Sequence, residues 1–394
     1  MKRIYTIYAL AVLFFFCGSI LLKVTVKIAL FVKEADEKTE FIDAIKEKLP
    51  LKAEEKIFKS KEHSFGENNF YSKIKKKINQ SSTDYLVFNK VIAQVGIFSD
   101  FLLGSKILPN NVIDLGEGYL TQPHSKNSLK NIDAIVQKIA YFKHILDSIG
   151  IPLVYAQYPR VICNDDEVSK SRKDFTNQAK LELMEKISQI GIPVIDLTKE
   201  CHHSLFYKTD HHWRAKTSIW AGQAISKKLN ELYNFDLNVE LLDTNNFTEK
   251  LAFKWLGSIG RKVIPLYEKE NFYIYSPKYA ADINWLLYND RKFFQSSGSF
   301  DSLYHFIENK ETYQAAYPFS FSQNNNLPDG KKILLIGDSY NRPLSKFLTL
   351  VFKEVNFIYR RSSLLDDYLA NKPDIVVLGF NISVLMEEPK SLIF

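Results

Sequence analysis

Two short segments of this 394-residue chain carry residue types that together can move an acyl group. In "KKILLIGDSYNRPLSKFLTLVF" an apolar run at 333–336 leads directly into Gly337-Asp338-Ser339, and a helix-compatible stretch follows within a few residues. A strand that turns into a helix presents a side chain at the rim of a sheet and aims backbone N–H groups at the same point. A serine placed there can serve as nucleophile beside a nascent oxyanion hole. Asp338 and Ser339 are also common helix-capping residues, so the tripeptide alone leaves both readings open. In "FYKTDHHWRAKTSIWAGQAISKKL" the run Asp210, His211, His212, Trp213 stands immediately before an amphipathic stretch. In an extended segment residues two apart share a side, so Asp210 and His212 are expected to face one way and His211 the other. Asp210 could then fix the His212 tautomer and stabilise the imidazolium formed when His212 takes the Ser339 proton. Trp213 is placed to pack beneath the ring.

A metal-dependent hydrolase is the competing chemistry. Cys201, His202, His203, Asp210, His211 and His212 crowd residues 201–212, and zinc accepts such ligands. The spacing suits one ion poorly, because neighbouring histidines diverge and no helical i, i+4 pair occurs. The serine reading requires neither metal nor cofactor.

The elements that must position these residues follow an α/β rhythm. Helix-length periodic stretches fall near 128–149, 172–190, 215–233 and 342–353, with compact β-branched apolar runs at 152–157, 193–197, 333–336 and 375–378. Two of the helical stretches end in Gly-Ile-Pro, at 150–152 and 191–193. That is a stop signal, since Gly tolerates the left-handed cap and Pro cannot continue a helix. The pattern predicts successive crossover units of a parallel, three-layer sheet. Residues 236–330 break the rhythm with aromatic-rich, turn-rich sequence and are expected to form an insertion between two parts of that sheet.

Residues 4–22 are uncharged and apolar behind Lys2 and Arg3, and nineteen such residues can just span a bilayer. The run lacks the small-x-small cleavage site of a signal peptide. It therefore reads as a signal anchor within residues 1–32, a single pass at the cell membrane. Residues 33–84, in which charges alternate with sparse apolar positions, read as a stalk, and 85–394 as the main domain. The excess of Lys23, Lys27 and Lys33 beyond the span does not fix orientation, so an extracytoplasmic domain is expected from the chemistry. A net charge of +7 without a recognition motif gives no reason to expect nucleic-acid binding. Three cysteines are too few for a disulfide framework; Cys163 and Cys201 are either paired in an oxidising compartment or free, partly buried thiols.

The Gly-Asp-Ser turn combined with the earlier Asp-His-His-Trp run resembles the DHHW family and the AlgJ and AlgX type alginate O-acetylation proteins, whose domains are SGNH-hydrolase-like and flavodoxin-like. "GEGYL" at 116–120 and "FKWLGSIGRK" at 253–262 are similar to two further family elements, and the likeness extends from about residue 85 onward. It implies Ser339 as nucleophile, His212 as base and Asp210 as its orienting partner. The family's oxyanion-binding Gly and Asn find one counterpart, Gly379 and Asn381 after the run 375–378, although both come from a single segment and Asn381 can equally cap a turn. The resemblance further implies a polysaccharide substrate, with Arg261 and Trp255 as sugar contacts, and a polytopic membrane acyltransferase as partner. Transfer to a sugar hydroxyl and hydrolysis of an acetyl ester share the same first half-reaction, and a non-catalytic polysaccharide-binding protein of this fold is the alternative from another class.

Overall fold

Successive side chains of the central strands enter two different hydrophobic cores, which is why those runs read as continuous apolar sequence. The structure, a computed structural model, describes residues 107–124, 131–166, 174–263, 266–289, 292–303, 319–359, 365–387 and 392. The expected anchor and stalk lie outside the described residues; among the described residues no helix is long and apolar enough to cross a membrane.

The strands in chain order are β1 (Ile107–Leu108), β2 (Val112–Asp114), β3 (Leu120–Thr121), β4 (Leu153–Tyr158), β5 (Val194–Asp196), β6 (Phe247–Trp255), β7 (Glu270–Pro277), β8 (Asp282–Asn289), β9 (Lys292–Ser299), β10 (Phe319–Asn324), β11 (Lys332–Gly337), β12 (Glu354–Tyr359) and β13 (Ile375–Asn381). The helices are α1 (Ile132–Ser148), α2 (Thr176–Gln189), α3 (Ala215–Tyr233), α4 (Asn341–Leu348), α5 (Leu365–Ala370) and α6 (Ile382–Glu387). Ile333 and Leu335 of β11 pack into one core with Ile219 and Ile225 of α3 and Leu344 and Phe347 of α4. Leu334 and Ile336 point the other way, to Ile135, Ile139 and Phe142 of α1 and Leu183 and Ile187 of α2. Three layers result, with the sheet between two helical faces.

The main sheet has eight strands in the order β5-β4-β13-β11-β12-β10-β8-β9. The first five are mutually parallel, and β10, β8 and β9 continue the sheet in antiparallel fashion. The expected parallel sheet is therefore a mixed one, and the segment expected as an insertion supplies three of its strands together with the separate β6-β7 hairpin. Hairpin-linked strands pair antiparallel without a crossover helix, so this segment shows none of the helix-strand alternation that marks the parallel half.

Counted from the serine-bearing strand, β11, β12, β13, β4 and β5 take the spatial order 2-1-3-4-5, which is the flavodoxin order begun from a different point in the chain. In such sheets ligands bind beyond the strand ends at the switch between the first and third strands; here those are β11 and β13, which pair directly from Ile333↔Ile375 to Gly337↔Gly379. Helices α1 and α2 end before Gly150 and Gly191, both at positive φ, as the Gly-Ile-Pro stops predict. Helix α4 stops at Leu348, earlier than the periodic stretch at 342–353 suggests, and the chain enters β12, for which the sequence reading had no counterpart.

Candidate active site

The turn after β11 is built from buried polar contacts. Asp338 is fully buried; its Oδ1 accepts the Tyr340 N–H at 3.0 Å and its Oδ2 accepts the Asn381 N–H at 2.6 Å. Asn341, also fully buried, donates from Nδ2 to the Gly379 carbonyl at 2.7 Å and accepts the Tyr158 hydroxyl at Oδ1. A side chain on Gly337 would collide with the Gly379 carbonyl, its Cβ only 1.9 Å from that oxygen. The two strands can approach this closely only because Gly337 faces Gly379, and the turn lifts Ser339 out half-exposed between them.

Ser339 Oγ lies 2.6 Å from His212 Nε2, and His212 Nδ1 lies 2.6 Å from Asp210 Oδ1. The residues named from two segments 127 positions apart thus come together in the order a serine nucleophile, its base and an orienting carboxylate require. Asp210 is 2% exposed. Burial opposes its charge, yet His212, His211 and the Ser258 N–H, donating to Oδ2 at 2.6 Å, hold the carboxyl well below the usual carboxylate range. The Ser339 N–H has no acceptor among the described residues, so it is available to a developing oxyanion.

His211 does not point away from His212 as an extended segment would place it. The Asp210 side chain also accepts the His212 backbone N–H at 3.0 Å, which bends the chain into a turn. The two rings then lie with centroids 3.9 Å apart, and His211 Nδ1 meets Ser258 Oγ at 3.1 Å. The crowding of the ring by protein on its inner side, the adjacent His212 ring and the nearby Arg160 and Lys262 outweigh Asp210 and push His211 below the usual imidazole range, an effect that solvent moderates because 49% of its side chain is exposed. Trp213 packs on Tyr158 and Tyr340, with centroids at 4.9 and 5.1 Å, so the ring set against His212 is that of Tyr340, at 5.4 Å. The Tyr340 hydroxyl, which burial keeps protonated well above the usual tyrosine range, donates to the His211 carbonyl. One residue after Ser339 is thereby tied to the loop that carries its base.

The loop that presents Asp210 is gripped from three sides. Leu120, at the end of the GEGYL turn, donates its N–H to the Lys208 carbonyl at 2.7 Å. The Gly257-to-Gly260 segment caps Thr209: the N–H groups of Ile259 and Gly260 reach its carbonyl at 3.1 and 2.9 Å, and that of Gly257 reaches its hydroxyl at 2.9 Å. Glu270 at the start of β7 supplies the third contact, through its carboxylate. Both motifs singled out in the sequence beside the catalytic candidates are thus buttresses of this loop.

Gly379 and Asn381 are enclosed in the scaffold of the turn. Gly379 is closed in beneath Tyr158 and Asn341. Asn381 is 2% exposed and donates its amide to the Pro159 carbonyl at 2.9 Å, while its Oδ1 accepts the Ser383 N–H at 3.0 Å at the start of α6. A buried carboxamide must satisfy its donors locally, and these contacts tie Asn381 into the scaffold below the turn. Trp255 is half-buried with its edge on Tyr207 and Phe272, at 5.4 and 5.8 Å. Arg261 is exposed on the short turn Gly260–Val263.

Residues 201–212 do not converge on one point. Cys201 is joined to Cys163 in a disulfide with Cα atoms 5.7 Å apart, which removes both thiolates as metal ligands and resolves their open pairing. His203 Nε2 meets Asp166 at 2.9 Å and His202 Nδ1 meets Ser204 Oγ at 2.7 Å. Asp210, His211 and His212 do bring ligand-type atoms within 4.8 Å of one another. Asp210 Oδ1 and Oδ2, both His212 ring nitrogens and His211 Nδ1 already take part in the hydrogen bonds given above.

Residues 116–253 match the profile of the SGNH hydrolase-like domain of the acetyltransferase AlgX, a stretch that holds the GEGYL turn and the Asp210 loop and ends before Ser339. Among solved structures the chain is similar to PatB1 of Bacillus cereus, with a TM-score of 0.55 and 16% identity over 70% of this chain and 96% of that one. A second PatB1 structure, with a sulfonyl adduct, gives 0.53 and 15% identity over 70% and 94%. A DHHW family protein from Eubacterium siraeum gives 0.50 and 14% identity over 72% and 92%. These likenesses establish the SGNH-hydrolase-like fold. No curated protein matches the sequence.

Proposed function

We propose that this chain is an extracytoplasmic serine O-acetyltransferase that modifies a cell-envelope or secreted polysaccharide, with Ser339 as nucleophile, His212 as general base and acid, and Asp210 as the group that orients His212. The observation that carries the reading is the continuous relay from Ser339 Oγ through His212 to Asp210, each step 2.6 Å. Acetyl transfer in particular is supported by the matched profile, that of an acetyltransferase domain.

In the first half-reaction His212 Nε2 takes the Ser339 proton as Oγ attacks the acetyl carbonyl. The tetrahedral oxyanion is held by the Ser339 N–H, in the position left after Asn381 is assigned to the scaffold. His212 then returns the proton to the leaving oxygen, and an acetyl-serine remains. In the second half-reaction a sugar hydroxyl gives its proton to His212 and attacks the acetyl-serine, which restores Ser339 and releases the acetylated sugar. Water in place of the sugar would give net ester hydrolysis. Arg261 and Trp255 flank the segment that caps Thr209 and are the proposed sugar contacts.

Two features support the exported setting: the Cys163–Cys201 disulfide, a bond that persists in oxidising compartments, and the apolar run at 4–22 behind Lys2 and Arg3. A polytopic membrane acyltransferase is the proposed source of acetyl groups in that compartment.

The test is turnover of an activated acetyl ester by the full chain, with and without an oligosaccharide acceptor. Acetyl on the acceptor, lost in Ser339→Ala and His212→Ala, is expected. Turnover that survives both substitutions sinks the serine mechanism, and binding of the polymer without turnover by well-folded protein would make it a polysaccharide-binding protein.

A further inference from the structure

Glu270 stands in "YEKENFYIY", where the charges Glu268, Lys269 and Glu270 read as a solvated turn before a strand. Its carboxylate is instead turned onto the backbone just ahead of the catalytic aspartate. Oε2 accepts the Lys208 N–H at 2.9 Å, and Oε1 accepts both the Thr209 N–H at 2.8 Å and the Thr209 hydroxyl at 2.6 Å. With its O–H directed to Glu270, the Thr209 hydroxyl is left to accept, and it does so from the Gly257 N–H at 2.9 Å. The Thr209 carbonyl takes the N–H groups of Ile259 and Gly260, so every polar group of Thr209 is engaged and the residue is 2% exposed. Ser258, in the middle of the same segment, then reaches the next residue along, with its N–H on Asp210 Oδ2 at 2.6 Å.

One carboxylate therefore organises a chain of contacts that ends on Oδ2 of Asp210. Hydrogen bonds to an ionised acceptor are about twice as strong as neutral ones, and no other side chain described here bonds to both Lys208 and Thr209. We propose that Glu270 is the positioning residue for the Asp210–His212 pair: it sets where the Asp210 carboxylate sits without touching substrate or Ser339. The proposal rests on the serine reading given above. Its consequence is kinetic, because a misplacement of about 1 Å in a reacting constellation can cost about 100-fold in rate.

The experiment compares the full chain with Glu270→Gln and Glu270→Asp. The carboxamide keeps one acceptor oxygen for Thr209 but turns an NH2 group on the Lys208 N–H, whereas Asp retains the charge and is too short to reach both residues. Reactive sites are counted by stoichiometric labelling with phenylmethylsulfonyl fluoride, so that kcat is expressed per competent site. In parallel, proton NMR follows the low-field signal of the hydrogen bond between His212 Nδ1 and Asp210, assigned by its disappearance in Asp210→Asn. The expected result for Glu270→Gln is an unchanged number of reactive sites, kcat per site lower by about 10- to 100-fold, a nearly constant KM for the small ester, and a shifted or broadened low-field signal, with Glu270→Asp in between. Fewer reactive sites, each with normal kcat, would show a purely structural prop and overturn the proposal, as would an unchanged kcat with an unchanged signal. If the native chain turns over no ester, the serine reading is what fails, and the low-field signal still decides whether Glu270 governs Asp210.

Discussion

The Asp338 carboxylate accepts the backbone N–H of Asn381 at 2.6 Å and pins the serine turn after β11 to the end of β13. The contact crosses the switch point of the sheet, so Ser339 is fixed relative to two strands at once. The base arrives from a different part of the chain and is fixed by its own set of contacts. The proposed serine mechanism depends on both supports.

Ser339→Ala and His212→Ala should each lower kcat for an activated acetyl ester by about 10⁴-fold or more, with KM changed far less. Because members of a relay act as a unit, the double variant should be scarcely worse than either single one. Steady-state kinetics on all three variants checks this, and additive losses would mean that the two residues do not share one step.

Asp210→Asn should lower kcat by about 10³- to 10⁴-fold. A carboxamide N–H facing Nδ1 drives the ring proton to Nε2, where it can no longer accept from Ser339. The same variant reports on stability. The folded-state pKa of Asp210 is depressed, so its charge stabilises the fold fully above the unfolded carboxylate value of about 4 and loses that effect as pH falls below it. The melting temperature of Asp210→Asn should therefore trail the native protein at pH 7, and the gap should narrow below about pH 4.

Tyr340→Phe removes the hydroxyl that donates to the His211 carbonyl. Leaving buried groups without a partner costs about 1–3 kcal/mol, which thermal denaturation should register. The loss of the tie between the serine turn and the base loop should also lower kcat, and a variant with native kcat would show that the sheet alone sets the distance from Ser339 to His212.

Replacing both Cys163 and Cys201 by Ser opens a loop with a sequence separation of 38 residues. Chain entropy puts the stabilisation from such a closure at about 3–4 kcal/mol. Denaturant midpoints of the double variant and of native protein with and without reductant should agree on that loss; native protein indifferent to reductant would mean that the two sulfurs are not joined.

The sequence announced the proposed reacting residues better than their supports. Ser339, His212 and Asp210 were legible because a nucleophile turn and a histidine-rich segment are short, local patterns. The parallel strands were legible because side chains that enter cores on both faces leave unbroken apolar runs. The supports of the site, set by contacts across the chain, left little local signature. Glu270 looks like a surface charge until β7 brings it to Thr209. Asn381 has the right residue type for an oxyanion donor, but Pro159, 222 residues earlier in sequence, claims its amide. β10 misled for a related reason: its Ser320, Ser322 and Asn324 are buried, Ser322 bonded to Thr349 Oγ1 at 2.6 Å and Asn324 to the Thr349 carbonyl at 2.9 Å. A strand that buries its polar face against a helix carries no apolar signature.

The order of the parallel strands also bears on how the molecule is made. β13 lies between β4 and β11, yet it follows both in sequence. Synthesis delivers β4 and β5 with their inner edge unpaired, and β11 arrives with the edge facing them equally open. Neither half can close the sheet until the last of the five is in hand, and contacts as distant as Gln157 with Phe380, 223 residues apart, must form in that closing step. Such non-local pairing is slow, and open strand edges invite association with other chains. The turn that carries Ser339, pinned to β13 through Asp338, is accordingly completed only when that last strand is in place.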